Sequence, residues 1–146
     1  MKKCITPIDF NKLLCYILMA INKVKKIKKP KSKTQKDCDR LLSPIIIALR
    51  PKCLLCGRPT EVAHHFIKKS VSSFHRYNIN NLINLCSKCH FLLHFNDEGL
   101  WNGRIALLKG KEWLDDLERH KRDYVKCNKA YYEETYKKLL ALRDEV

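Results

Sequence analysis

Apolar positions follow a helical rhythm at both ends of this chain and fall in short, strand-length runs in the middle. From residue 6 a three- and four-residue spacing runs through Phe10, Leu13, Leu14, Ile17, Leu18, Ile21 and Val24, the stripe of an amphipathic helix. Thr6 suits its N-cap, Pro7 its first position and Asp9 its first turn, and Pro30 ends it. Residues 23–36 are rich in lysine and nearly free of acid, and read as a frayed helix end plus linker. A second apolar patch at 41–49 predicts a helix, with Ser43-Pro44 as cap and first-turn proline or with a start nearer Asp37. Short runs at 61–66 and 82–85 predict strands. The polar stretch 67–80 between them is a loop long enough to be functional. A short helix is expected at 88–95. Beyond Gly99 the helical spacing returns over 104–109 and 113–122, through Leu107, Leu108, Trp113, Leu114 and Leu117. Asn128 caps a last helix whose acids Glu133 and Glu134 precede its bases Lys137 and Lys138, the order the helix dipole favours. Its tyrosines, Tyr131, Tyr132 and Tyr136, read as core or interface.

The order strand, loop, strand, helix, flanked by helices, predicts an α+β fold. Three regions follow: an N-terminal helix and basic linker (1–36), a small core (37–98) and a C-terminal helical extension (99–146). With 146 residues, the chain is expected to form one domain with appendages.

Cysteine spacing changes the picture of the core. Eight cysteines would suit a secreted disulfide scaffold, yet four of them fall into Cys53-x-x-Cys56 and Cys86-x-x-Cys89. Four thiolates so spaced close a tetrahedral zinc shell and leave no open position, which makes a structural site. Such a site stabilises a module too small to bury enough apolar surface alone. Gly57 supplies the left-handed turn after the first pair. Cys4, Cys15, Cys38 and Cys127 are scattered and read as reduced thiols in a cytosol-like compartment. Met1-Lys2-Lys3 precedes an apolar run at 13–21, but polar residues interrupt its approach, no small-x-small site follows and lysines come directly after. Neither a secretory signal nor a bilayer span is expected.

The formal charge of +15 favours nucleic acid as partner, with an acidic membrane surface second. The basic stretch 23–36 is either a plain solvated run or an arm that binds phosphates by counterion release.

Histidines add a second chemistry. The doublet His64-His65 sits on the first expected strand, and His90-x-x-x-His94 places two imidazoles one helical turn apart. With Asn81 at the head of the second strand and the Cys-x-x-Cys-His turn, these residues resemble the H-N-H motif of the ββα-metal (HNH) endonucleases. The step from Asn81 to His90 and the pair to His94 look like the colicin-type branch. A longer likeness is to phage recombination nucleases of the NinG/Rap kind, through Ala63-His64-His65-Phe66-Ile67, Arg76-Tyr77-Asn78, Cys86-Ser87-Lys88-Cys89, Lys111-Glu112-Trp113-Leu114 and Ala130-Tyr131-Tyr132-Glu133. Those proteins usually carry Asn where this chain has His90.

The resemblance implies roles. His65 would be the general base and Asn81 would hold its ring, while His64, His90 and His94 would grip one catalytic divalent cation (Mg²⁺, Mn²⁺, Ni²⁺ or Zn²⁺). Many family members have Asp in place of His64, and an all-imidazole shell leans toward transition metals. The implied activity is metal-dependent hydrolysis of DNA phosphodiesters, on branched or recombining DNA if the phage likeness holds, in a host cytoplasm. A homodimer through the helical tail would suit cutting two strands. Arg76 either clamps a phosphate or ties the loop to an acid. Lys68 and Lys69 either face backbone phosphates or are simple exposed lysines. His75 and His120 read as surface residues, and His64 has the alternative of facing outward unliganded. The competing reading of the whole is a non-catalytic zinc-ribbon module that binds nucleic acid.

Overall fold

The first described helix starts where its cap is built. The computed structural model describes residues 33–146; the helix expected from residue 6 and the thiols Cys4 and Cys15 lie outside them. Helix α1 spans Gln35–Leu49. The Asp37 carboxylate accepts from both the backbone N–H and the hydroxyl of Thr34, each at 2.9 Å, a reciprocal cap that satisfies orphan donors of the first turn. Pro44 therefore lies inside the helix rather than at its start. An interior proline costs about 3 kcal/mol; burial of Cys38, Leu42, Ile45 and Ile46 offsets that cost. The earlier of the two expected starts is the observed one.

Residues 53–57 form the expected knuckle, with Gly57 at φ +72° and its N–H bonded to the Cys53 carbonyl at 2.9 Å. Strands β1 (Val62–His65) and β2 (Leu82–Leu85) pair antiparallel, with Val62 opposite Leu85 and His65 opposite Leu82. Between them the chain makes two short 3₁₀ turns, Phe74–Tyr77 and Ile79–Asn81. Helix α2 (Ser87–Phe95) follows β2 directly and is capped by Cys86.

Helix α3 runs Glu98–Lys109, six residues longer at its start than the spacing predicts. Gly99 and Gly103 hide this start from a propensity reading. Asp97 supplies the missing signal, its Oδ1 accepting from the Leu100 N–H at 3.0 Å. Gly110, at φ +92°, turns the chain into α4 (Lys111–Arg119). Helix α5 (Lys129–Asp144) begins at the Asn128 cap as expected, Oδ1 accepting from Tyr131 N–H at 2.9 Å.

The sheet divides two apolar clusters. Alternation along β2 sends Ile83 and Leu85 to one with Cys53, Cys86, Cys89, Leu93 and Ile105, and Leu82 to the other with Cys38, Leu42, Ile45, Ile46 and Leu139. The first cluster ties the sheet to the cysteine knuckles, α2 and α3. The second packs α1 and α5 over the back, with Tyr132 and Tyr136 against it. The strand pair is thus held from both faces, which fixes the positions of His64 and His65. No helix of the described residues is long and apolar enough to cross a membrane.

Candidate metal centres and active site

The four paired cysteines converge. Their sulfur atoms all lie within 4.8 Å of one another, and Cys56 Sγ is 3.6 Å from Cys86 Sγ. A tetrahedron of Zn–S bonds of about 2.3 Å has edges of about 3.8 Å, so the donor set fits a closed zinc shell. Cys53, Cys86 and Cys89 are buried and Cys56 is at the surface. Hydrogen bonding to Arg58, backbone first, pulls the Cys56 thiol down to about 6, whereas burial pushes the Cys89 thiol up. Four sulfurs this close cannot all ionise without a cation among them. Cys86 Sγ also accepts from the Cys89 N–H at 3.5 Å, so one ligand doubles as the cap that starts α2.

Helix α2 then presents His90 and His94 toward β1. Their Nε2 atoms stand 3.1 Å apart, and the His64 ring lies 5.3 Å and 5.1 Å, centroid to centroid, from theirs. One ring nitrogen from each of the three comes within 4.8 Å of the others. Tetrahedral metal–nitrogen bonds of about 2.0–2.1 Å give N···N edges of about 3.3–3.4 Å, and the helical pair lies a few tenths of an ångström inside that. His64 is 7 % exposed. Burial, then the neighbouring His90 and His94, pushes its pKa down to about 4, and burial lowers that of His90 as well. Neutral imidazoles with free lone pairs are what a cation needs.

His65 lines the same cleft, a space of ≈ 470 Å³ that also takes in His64, His90, His94, Lys68 and Lys69. Its Nε2 is 2.8 Å from the carbonyl oxygen of Arg76. A carbonyl can only accept, so Nε2 carries the proton and Nδ1 keeps the lone pair. Burial lowers the pKa of His65, opposed by this hydrogen bond.

Asn81 does not hold the His65 ring. It is fully buried, with Oδ1 accepting from the Ile67 N–H at 2.7 Å and Nδ2 donating to the carbonyls of Ile67 (3.0 Å) and His75 (3.1 Å). Its amide is used up in pinning both ends of the loop, and the Arg76 carbonyl takes the place expected for it beside His65. Arg76 is likewise no free phosphate clamp. Its guanidinium forks onto Asp39, with Nη2 to Oδ2 at 2.6 Å and Nε to Oδ1 at 3.3 Å, and only 15 % of the side chain is exposed. Of the two readings open for Arg76, the tie to an acid is the one observed.

Lys68 pairs with Glu98 at 3.0 Å, and Lys69 is exposed at the cleft. His75 is the reverse of a surface residue: it is 1 % exposed, with Nε2 3.0 Å from the Leu117 carbonyl and Nδ1 3.2 Å from Asn78 Nδ2. His120 has partners too, Asp123 at 2.7 Å and the stacked ring of Phe74. A larger groove of ≈ 620 Å³ between α3 and α4, lined by Leu100, Leu107 and Leu114, contains no histidine, cysteine or carboxylate.

The residues that sequence reasoning misses act through main-chain atoms. Asp39 accepts from the guanidinium of Arg76, the residue whose carbonyl stands at His65, and Trp113 Nε1 donates to the Asn80 carbonyl at 2.8 Å while its ring meets Phe66. A backbone acceptor leaves no residue-type signal in a sequence. The acid alternative weighed for Arg76 is the one trace of such a partner.

No curated protein and no solved structure matches the chain. The narrower likeness to phage recombination nucleases and to the colicin-type branch gains nothing from these comparisons. The family model described as HNH endonuclease matches residues 53–95, the stretch that carries both cysteine pairs, all three converging histidines, His65 and Asn81.

Proposed function

We propose that this chain is a metal-dependent endonuclease that hydrolyses DNA phosphodiester bonds, with His65 as general base. The observation that carries the reading is the shared cleft: an imidazole whose Nε2 is bonded, leaving the lone pair on Nδ1, lines the same cleft as three others grouped closely enough to bind one cation. His64, His90 and His94 would hold that cation, which when bound neutralises charge on the scissile phosphate and on the departing 3′ oxygen. An all-imidazole shell favours Zn²⁺, Ni²⁺ or Mn²⁺ over Mg²⁺.

His65 supplies the proton transfer. Its Nδ1 takes a proton from the attacking water as the new P–O bond forms and the bond to the 3′ oxygen breaks. The 3′ oxygen takes a proton from solvent, leaving a 3′-hydroxyl and a 5′-phosphate. Burial keeps His65 neutral near pH 7, the state a base needs. Lys69, exposed at the rim, would meet a backbone phosphate, and Lys68 would exchange Glu98 for one when DNA is present. Branched DNA is the substrate to test first, given the phage-type likeness of the sequence.

The deciding experiment is plasmid nicking by wild type and His65→Ala across a panel of divalent ions. Metal-dependent nicking that His65→Ala loses supports the proposal. Equal activity in both, or none in a fully metallated wild type, would refute it and favour the zinc-ribbon binding module.

A further inference from the structure

We infer that Asp39 is a positioning residue for His65, acting through Arg76. The inference rests on the reading of His65 as the base. Asp39 stands on α1, outside the stretch that the family model matches. Its two carboxylate oxygens accept from Nη2 and Nε of Arg76, at 2.6 Å and 3.3 Å. A two-point fork fixes the plane of a guanidinium, which one contact does not. Arg76 Nε also lies 3.3 Å from the Tyr77 hydroxyl, which donates at 3.3 Å to the carbonyl of Gln35 at the start of α1. Two adjacent side chains of the Phe74–Tyr77 turn are therefore anchored to the first turns of one helix.

The peptide between those two residues carries the Arg76 carbonyl, the acceptor for His65 Nε2 at 2.8 Å. His65 needs that acceptor to keep its proton on Nε2 and its lone pair on Nδ1. Asn81 Nδ2 to the His75 carbonyl and His75 to the Leu117 carbonyl hold the opening residues of the turn, whereas the fork holds the side chain that adjoins the peptide after Arg76. The ion pair is also largely sheltered, at 15 % and 29 % side-chain exposure, so removing the carboxylate strands a guanidinium with little water to replace it. The turn would shift to rehydrate Arg76, and the carbonyl would move with it.

The test uses the full chain, zinc-loaded and labelled with ¹⁵N-histidine. Wild type is expected to show His65 as the Nε2–H tautomer. Asp39→Asn should turn the His65 signals into a mixture with the Nδ1–H form and lower nicking turnover about tenfold with KM held, the size of effect that outer-shell partners have. Asp39→Glu, which can restore the fork, should recover both. Zinc content and circular dichroism report folding separately, and a purely structural salt bridge would leave the tautomer alone. An unchanged His65 tautomer in folded Asp39→Asn overturns the inference; where that variant does not fold, the same result in Arg76→Lys, which keeps the charge but loses the fork, overturns it. A tautomer that follows Asp39 in a wild type without nicking activity supports the positioning role and sinks the nuclease reading alone.

Discussion

His64 and His65 share a residue type and a strand, yet their surroundings give them different chemistry. Successive side chains of a strand face opposite ways, so His64 meets His90 and His94 while the His65 ring reaches the Arg76 carbonyl. His65→Ala should lower nicking by ~10²–10⁴-fold, the usual worth of a general base, and leave the metal content of the three-histidine site unchanged; a parallel metal analysis checks this. The depressed pKa of His64 has a consequence for stability. The unfolded chain takes up a proton near its ordinary value of 6.5 and the folded chain only near 4, so between those values the unfolded state binds more protons. Stability should therefore fall as pH drops through that window, by about 3 kcal/mol in all. Urea unfolding at several pH values measures it, and a flat profile would contradict the burial argument. At this scale the proposed ligands and base stood out in the sequence because such chemistry needs particular side chains at particular spacings. His75 did not, since nothing in its local sequence marks a ring sealed between a loop and a distant helix.

Among the elements, the loop between the strands depends most on its neighbours. Asn81 pins its ends, α1 holds Arg76, and α4 holds Asn80 and His75. Trp113→Ala removes a hydrogen bond and an aromatic contact together. A fully buried tryptophan costs ~3–5 kcal/mol on truncation; Trp113 is only half-buried, so a loss of about 2 kcal/mol is expected. Thermal melts would register it, and nicking should fall with it because the loop carries the His65 acceptor. The ββα order was legible from apolar runs and turn residues, and Asn128 gave the start of α5. The start of α3 was not, and for α1 the sequence left two starts open, of which the earlier is observed. Pro44, Gly99 and Gly103 are local signals against a helix, and capping by Thr34 and Asp97 together with tertiary burial outweighed them.

Across the whole molecule, two terms sit side by side: a sulfur cluster built into one of the apolar clusters, and a formal charge of +15. Cys86→Ala should do more than weaken zinc, because Cys86 also caps α2, a role alanine cannot fill, and belongs to the buried cluster. Loss of both α2 helicity and bound zinc, read by circular dichroism and metal analysis, is the expected outcome. Binding to duplex DNA should weaken steeply and linearly in log–log terms as salt rises, and a salt-independent affinity would argue against phosphate contacts. The charge pointed to a polyanion from composition alone, but which lysines meet it is a matter of surface geometry: Lys68, next to Lys69 in sequence, turns out to be paired with Glu98. The ring of His75 bridges Asn78 and the Leu117 carbonyl, so the 53–95 stretch is no portable cassette. Transplanted into a foreign host protein it would bring its thiolates and its histidines along, but it would leave behind the seat for that ring, and the graft would carry a nuclease signature on an unsupported frame.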